Sequence, residues 1–235
     1  MNVRAQVGQV KEWFRQSYSG KLDSISAIKQ RNAEFDRLRD SIRQSGTDSL
    51  SHFGNEYTHE GGLSLQQNPD EFASLCLYLK EHRPYTNYME IGSASGGTCL
   101  VLCREVGFTN IISVDDGSHP RAPEQKKNFS QLPNFKQFLG DSHSAAAKSF
   151  LESNLEGKLD VAFIDGDHSY EGVWQDVELT LPFCRPGTLV IFHDTIACDG
   201  VQKTWQRCAE EKLLKPLAEY IGDDRPLGIG IGSVI

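Results

Sequence analysis

The stretch Tyr88-Met89-Glu90-Ile91-Gly92-Ser93-Ala94-Ser95-Gly96-Gly97-Thr98 decides the fold. It is a short apolar run that ends in an acid and passes into a glycine-rich bend, after which apolar residues recur at helical spacing. Its order is strand, tight turn, helix start. Glycines at 92, 96 and 97 permit positive φ and remove the Cβ that would hold a ligand away from the main chain. The spacing Glu90-x-Gly92-x-x-x-Gly96 differs from the G-x-G-x-x-G of dinucleotide sites. It also lacks the Gly-Lys-Ser/Thr of a phosphate loop, so it argues against a pyrophosphate ligand.

A second strand, Asn110-Ile111-Ile112-Ser113-Val114, ends in Asp115, with Asp116 beside it. An acid at such a tip can accept hydrogen bonds from both ribose hydroxyls of a nucleoside. Together the two strand ends resemble the class I S-adenosylmethionine-dependent methyltransferases. The resemblance implies that the loop carrying Glu90, Gly92, Ser93, Gly96 and Thr98 holds the methionine half of the cofactor and that Asp115 holds the ribose, with Asp116 also at the cofactor.

Composition narrows the remaining classes. A chain of 235 residues that is 38% hydrophobic can bury one good core, as a single α/β domain with an appendage. No apolar run reaches the 18 residues of a membrane span, and Met1-Asn2-Val3-Arg4-Ala5-Gln6 has no apolar signal region, which points to the cytoplasm and to no membrane partner. Six cysteines without a C-x-x-C pair argue against disulfides and a zinc knuckle. A net charge of −8 argues against a nucleic-acid partner. The charge is uneven: residues 1–46 carry nine Lys/Arg against five Asp/Glu, a balance of +4.

That basic segment has apolar residues at helical steps (Val7, Val10, Phe14; Ile25, Ile28; Phe35, Leu38, Ile42), broken near Ser19-Gly20. Residues 1–48 therefore read as a helical arm or cap: a lid, a substrate-selecting cap, a homo-oligomer contact, or a plain packing layer. Residues 45–67 read as a polar loop. Asn68-Pro69-Asp70-Glu71 opens a helix with Asn as N-cap, Pro at N1 and Glu at N3, and Phe72, Leu75, Cys76 and Leu79 mark its buried face.

Strands and helices then alternate: strand 88–91, helix 97–106, strand 110–115, a polar stretch 116–133 with a short helix, strand 134–139, helix 143–153, strand 159–164, helix 170–183, strand 188–193 and helix 200–214. Such alternation predicts a doubly wound, mostly parallel sheet. Leu217 to Ile221 and Gly228 to Ile235 close the chain as a hairpin around Asp223-Asp224-Arg225-Pro226. The resemblance implies a seven-stranded, Rossmann-like methyltransferase fold with its last strand antiparallel, over residues 60–235.

In open α/β sheets the ligand lies at the carboxyl ends of the strands. After the third strand, Asp141 and Ser142 stand either at the adenine edge, as the resemblance implies, or as caps of the next helix. After the fourth comes Asp165-Gly166-Asp167-His168, and after the fifth His193-Asp194. Unpaired buried carboxylates are costly, so this placement suits a cleft better than a core. Asp165, His193 and Asp194 together could hold a divalent cation, with carboxylates suiting Mg²⁺ or Mn²⁺ and the imidazole favouring Mn²⁺ or a later metal.

The run Phe163-Ile164-Asp165-Gly166-Asp167-His168-Ser169-Tyr170-Glu171-Gly172, with Arg185-Pro186-Gly187 and Phe192-His193-Asp194, resembles a small bacterial family grouped with macrocin-type sugar O-methyltransferases and cephalosporin hydroxylase-like proteins. It is more distantly similar to catechol O-methyltransferase. The resemblance implies Asp165 and Asp194 as metal ligands, Asp165 also at the cofactor, and His168 as general base. His193 stands where those relatives have an oxygen ligand, a departure that puts Mg²⁺ in doubt.

The leading expectation is an S-adenosylmethionine-dependent O-methyltransferase acting on a small hydroxylated acceptor, a sugar or natural product. Competing readings are a metal-dependent oxygenase or hydrolase using Asp165, His193 and Asp194, and a non-catalytic nucleoside-binding module. A dehydrogenase comes last because the glycine spacing is wrong. His52, His82 and His119 read as loop or surface residues, His59-Glu60 lacks the second His of H-E-x-x-H, and Trp174, Val173, Val177 and Leu181 read as core.

Overall fold

The computed structural model describes residues 32–46, 62–223 and 225–235, with scattered positions among residues 5–29. Phe14, the break near Ser19-Gly20, His52 and His59-Glu60 lie outside the described residues. Seven strands make one sheet: β1 (Asn87–Ile91), β2 (Asn110–Asp115), β3 (Phe135–Leu139), β4 (Val161–Ile164), β5 (Leu189–His193), β6 (Leu214–Tyr220) and β7 (Ile229–Val234). Their order is β3-β2-β1-β4-β5-β7-β6, with β1 to β5 parallel and β7 antiparallel to both β5 and β6. The strand order reverses between β1 and β4, and in open α/β sheets a ligand lies in the crevice outside the carboxyl ends of the strands at such a reversal.

Side-chain alternation along the central strands explains why both faces are covered. Tyr88, Ile111, Val161, Phe163, Leu189 and Ile191 face a core shared with α1 (Ala33–Gln44), α2 (Pro69–His82) and α3 (Gly97–Val106). Met89, Ile91, Ile112, Val114, Ala162, Ile164, Val190 and Phe192 face the other way, toward α5 (Ala145–Asn154), α6 (Tyr170–Thr180) and α7 (Asp199–Glu210). The short α4 (Gln125–Phe129) packs Phe129 on the first face. Phe35, Leu38 and Ile42 of α1 lie in the same core as Phe72, Leu75 and Leu79 of α2, so the described end of the arm is packed on the domain.

The α2 start matches the sequence reading in part. Asn68 Oδ1 accepts the N–H groups of Asp70 and Glu71 at 2.9 and 3.3 Å, with Pro69 at the first position. Glu71, however, does not reach back to the cap; its carboxylate goes elsewhere, as described below.

The boundaries differ most from expectation after the last helix. The helix read as 200–214 ends at Glu210, and β6 starts at Leu214. Lys212 sits at φ +58; its N–H donates to Ala209 O, and that of Leu213 donates to Cys208 O. This is a Schellman stop made with lysine where glycine is usual, so the sequence carries no visible signal for it. Pro216 sits in the edge strand β6, beside a bulge, where a missing N–H is tolerated. Trp174 is half-buried and lies under the Arg207 guanidinium, 3.4 Å from its ring centroid, where the helical spacing had placed it in the core.

Candidate active site

A cavity of about 680 Å³ opens along the carboxyl ends of β1 to β5. Gly92, Ser93 and Thr98 from the first turn, Asp115 and Asp116 from β2, Asp141 and Ser142 after β3, Asp165 and His168 after β4, and His193 and Asp194 from β5 all line it. Two expected residues do not. Glu90 is fully buried, with Oε2 accepting from the Tyr88 hydroxyl at 2.9 Å, and Gly96 faces Phe129.

The glycines are required for a different reason than ligand approach. A Cβ on Gly92 (φ +81) would meet the Asp165 carbonyl oxygen at 2.1 Å, because the turn presses against the end of β4. A Cβ on Gly96 (φ +77) would meet the Phe129 ring at 2.7 Å. They let the β1 turn seat against β4 and α4, which shapes the cavity floor.

Asp115 is mostly engaged by the protein. Oδ2 accepts the Ser93 N–H at 2.7 Å, and Oδ1 accepts from Gly117 N at 2.8 Å and Gln125 Nε2 at 2.9 Å. Each carboxylate oxygen accepts two hydrogen bonds, so Oδ2 keeps one lone pair for a ligand hydroxyl. Asp116 stands exposed beside it, its pKa lowered by the Ser118 N–H. Neither Asp141 nor Ser142 caps the next helix: Ser144 does, accepting from Ala147 N, while the Ser142 hydroxyl donates to Asp176 Oδ1 at 2.7 Å.

Four ionisable groups meet at the tips of β4 and β5. His193 Nδ1 lies 3.1 Å from Asp165 Oδ1 and 3.4 Å from Asp194 Oδ2; His168 Nε2 lies 3.5 and 3.2 Å from the same two oxygens. Hydrogen bonds to Asp165 and Asp194 raise the His168 pKa to about 10, so without another cation the ring carries their counter-charge. Asp194 takes φ +63, a left-handed conformation that aspartate tolerates and that turns the chain sharply out of β5. A cation bound to N and O donors at about 2.0–2.3 Å leaves neighbouring donors roughly 3 Å apart, so these separations fit one. Asp165, His193 and Asp194 each offer a donor within 4.8 Å of the others.

Several lining residues escaped the sequence reading. His119, which reads as a loop or surface residue, does lie in a loop but lines the cavity, with Nε2 3.2 Å from Gln66 Nε2, and burial lowers its pKa. Cys198 lines it too, and its Sγ falls within 4.8 Å of His168 and Asp194 donors, one helical step beyond Asp194. Asp176 on α6 anchors Ser142 and His143 from below, and burial raises its pKa to about 6. Nothing in the local pattern marks Asp176, since position 176 reads as the polar face of an amphipathic helix. No helix among the described residues is long and apolar enough to cross a membrane.

Residues 89–195 match a family described as a methyltransferase domain. Among curated proteins the chain is 27% identical over 115 residues to Uncharacterized protein R132 of Acanthamoeba polyphaga mimivirus, covering 46% of this chain and 50% of that protein. The match thus spans about half the length of that relative. Among solved structures, an O-methyltransferase from Bacillus cereus in complex with SAH aligns at TM-score 0.60 and 17% identity, over 89% of this chain and 96% of that one. The O-methyltransferase TomG of Streptomyces achromogenes, in complex with SAM, aligns at TM-score 0.57 and 14% identity, over 87% and 90%. An rRNA methylase from Streptococcus thermophilus aligns at 0.54 and 10%, over 73% and 99%. At such identities the likeness is one of fold, and a fold does not by itself choose the acceptor.

Proposed function

We propose, from the match of residues 89–195 to a methyltransferase domain and from the fold shared with a solved O-methyltransferase, that the chain is an S-adenosylmethionine-dependent O-methyltransferase for a small, non-aromatic hydroxylated acceptor such as a sugar. The observation that carries this reading is the gathering of Ser93, Asp115, Ser142, Asp165 and His168 around one cavity at the strand ends. Its volume lies within the range of small-molecule sites, and its aspartates suit a cationic sulfonium. The free lone pair of Asp115 and the Asp116 carboxylate suit ribose hydroxyls, and Ser93 and Thr98 suit the methionine half.

Methyl transfer from a sulfonium is an in-line displacement: the sulfur–carbon bond breaks as the oxygen–carbon bond forms, and the hydroxyl gives up its proton. An alcohol is a weak nucleophile until that proton has somewhere to go. His168 is the most exposed of the four groups at the β4 and β5 tips, with 35% of its side chain accessible against 2% for His193, so it is the group an acceptor reaches first. Holding the two reactants in line supplies roughly 7–11 kcal/mol of the barrier.

Asp165, His193 and Asp194 would hold a divalent cation, which when bound would lower the pKa of an acceptor hydroxyl. With both carboxylates so engaged, His168 no longer has to supply their counter-charge and can accept a proton. Among the described residues the cavity lining contains no lysine, arginine, phenylalanine, tyrosine or tryptophan, which suits an uncharged polyol better than a phosphorylated or aryl acceptor.

Calorimetric titration of the full chain with S-adenosylmethionine tests the cofactor. One-to-one binding is expected; binding of a nicotinamide cofactor with no response to S-adenosylmethionine would end the proposal.

A further inference from the structure

Glu71 is fully buried, lies on α2 outside the stretch that matches the methyltransferase domain, and has no place in the chemistry described above. Its carboxylate accepts three backbone N–H groups from one loop between β6 and β7. Gly222 and Leu227 donate to Oε1 at 2.7 and 3.2 Å, and Gly228 donates to Oε2 at 2.9 Å. That loop in turn holds the segment after Asp194. The N–H of Thr195 donates to Gly228 O at 3.2 Å, and those of Ile196 and Ala197 donate to Leu227 O at 2.8 and 3.0 Å.

The contact leaves no slack. A Cβ on Gly228 would meet Thr195 Oγ1 at 2.5 Å and Ile196 N at 2.8 Å, so the loop lies directly on the chain leaving β5. A second buried acid, Glu219, accepts the Thr195 hydroxyl at 2.9 Å from the other side. Between these fixed points Asp194 holds its left-handed φ of +63, and Leu227 reaches the cavity wall.

We propose that Glu71 is a positioning residue for the active site: through the 222–228 loop it fixes the backbone that aims Asp194 and His193 into the cavity. The assignment rests on the reading of those two residues as part of a methyl-transfer site. A carboxylate suits the task because three N–H donors converge on it from one side; a glutamine offers one acceptor oxygen and turns its NH₂ toward the third donor. A left-handed conformation carries a cost even for aspartate, which tolerates it better than most residues, and the hydrogen bonds from residues 195–197 to this loop hold the chain there.

The test compares the wild-type chain with Glu71→Ala and Glu71→Gln by amide hydrogen exchange, by S-adenosylmethionine titration, and by kcat measured as S-adenosylhomocysteine release with an acceptor that the wild-type chain turns over. Expected in Glu71→Ala is at least tenfold faster exchange at residues 195–198 and 222–228, unchanged exchange in β1 and β2, unchanged cofactor affinity and at least a tenfold lower kcat. Glu71→Gln should show the same pattern at smaller size, and it carries the test if Glu71→Ala fails to fold. Unchanged exchange at 195–198, unchanged kcat, or faster exchange throughout the chain would overturn the assignment. Failure of the wild-type chain to bind the cofactor would instead sink the proposed function and leave these exchange results standing by themselves.

Discussion

His193 Nδ1 lies 3.1 Å from Asp165 Oδ1, joining the tip of β5 to the tip of β4 through a ring that is almost wholly buried. A buried imidazole between two carboxylates is either their counter-charge or, with them, a ligand set. An imidazole with two carboxylates favours first-row transition metals over Mg²⁺, which prefers oxygen and gives up its water reluctantly. Calorimetry should find Mn²⁺ or Co²⁺ bound at least tenfold more tightly than Mg²⁺, with Asp194→Asn weakening both. Equal affinities, or none for any of the three, would remove the cation from the scheme.

If His168 takes the hydroxyl proton, its loss should act on turnover and leave cofactor binding alone. His168→Ala should lower kcat by about 10²- to 10⁴-fold, the usual contribution of a positioned base, with the affinity for S-adenosylmethionine within twofold of wild type. The rate is measured as S-adenosylhomocysteine release with any hydroxylated acceptor that the wild-type chain turns over. A variant with unchanged kcat would assign the proton to another group.

Asp115 has two duties, since its oxygens fix the Ser93 N–H and the Gln125 amide while leaving one lone pair open. Asp115→Asn puts an NH₂ against one set of donors. It should cost about 1–3 kcal/mol of stability through the unsatisfied groups and raise the cofactor Kd by tenfold or more. Thermal unfolding and titration on the same sample separate the two effects. A loss of stability with normal cofactor affinity would confine Asp115 to holding the loop.

The sheet was legible because its strands are short, apolar and punctuated by acids. Strand, acid, glycine turn and helix recur from Tyr88 to Asp194, and parallel packing obliges the acids to gather at one edge. What was not legible depends on contacts between distant segments. Glu71 reads as a helix-start acid, yet its partners lie some 150 positions away. His119 reads as a loop residue until Gln66 is brought against it. The stop after Glu210 uses Lys212 in a glycine conformation, which residue type alone does not announce. Gly92 was readable as necessary, but the reason, the carbonyl of Asp165, belongs to another strand.

Glu90 offers a test that concerns the buried acid itself. Burial pushes its pKa up to about 8, and Oε1 has no hydrogen-bond partner among the described residues. The folded chain therefore binds this proton more tightly than the unfolded chain, whose glutamate titrates near 4.3. The sign follows: the Glu90 contribution to stability is fully present below about pH 4 and is lost as pH rises toward 8, at up to about 1.4 kcal/mol per pH unit across that window. Glu90→Gln keeps the shape and cannot ionise, so denaturant unfolding at pH 5 should find it close to wild type, and at pH 8 more stable than wild type. A variant less stable than wild type at pH 8 would mean that the carboxylate is charged in the folded chain and held there by a partner, such as the cofactor's ammonium group once bound. Repeating the unfolding with S-adenosylmethionine present separates the two cases, because a Glu90 that binds the ammonium should lose much of its ligand-induced stabilisation when changed to Gln.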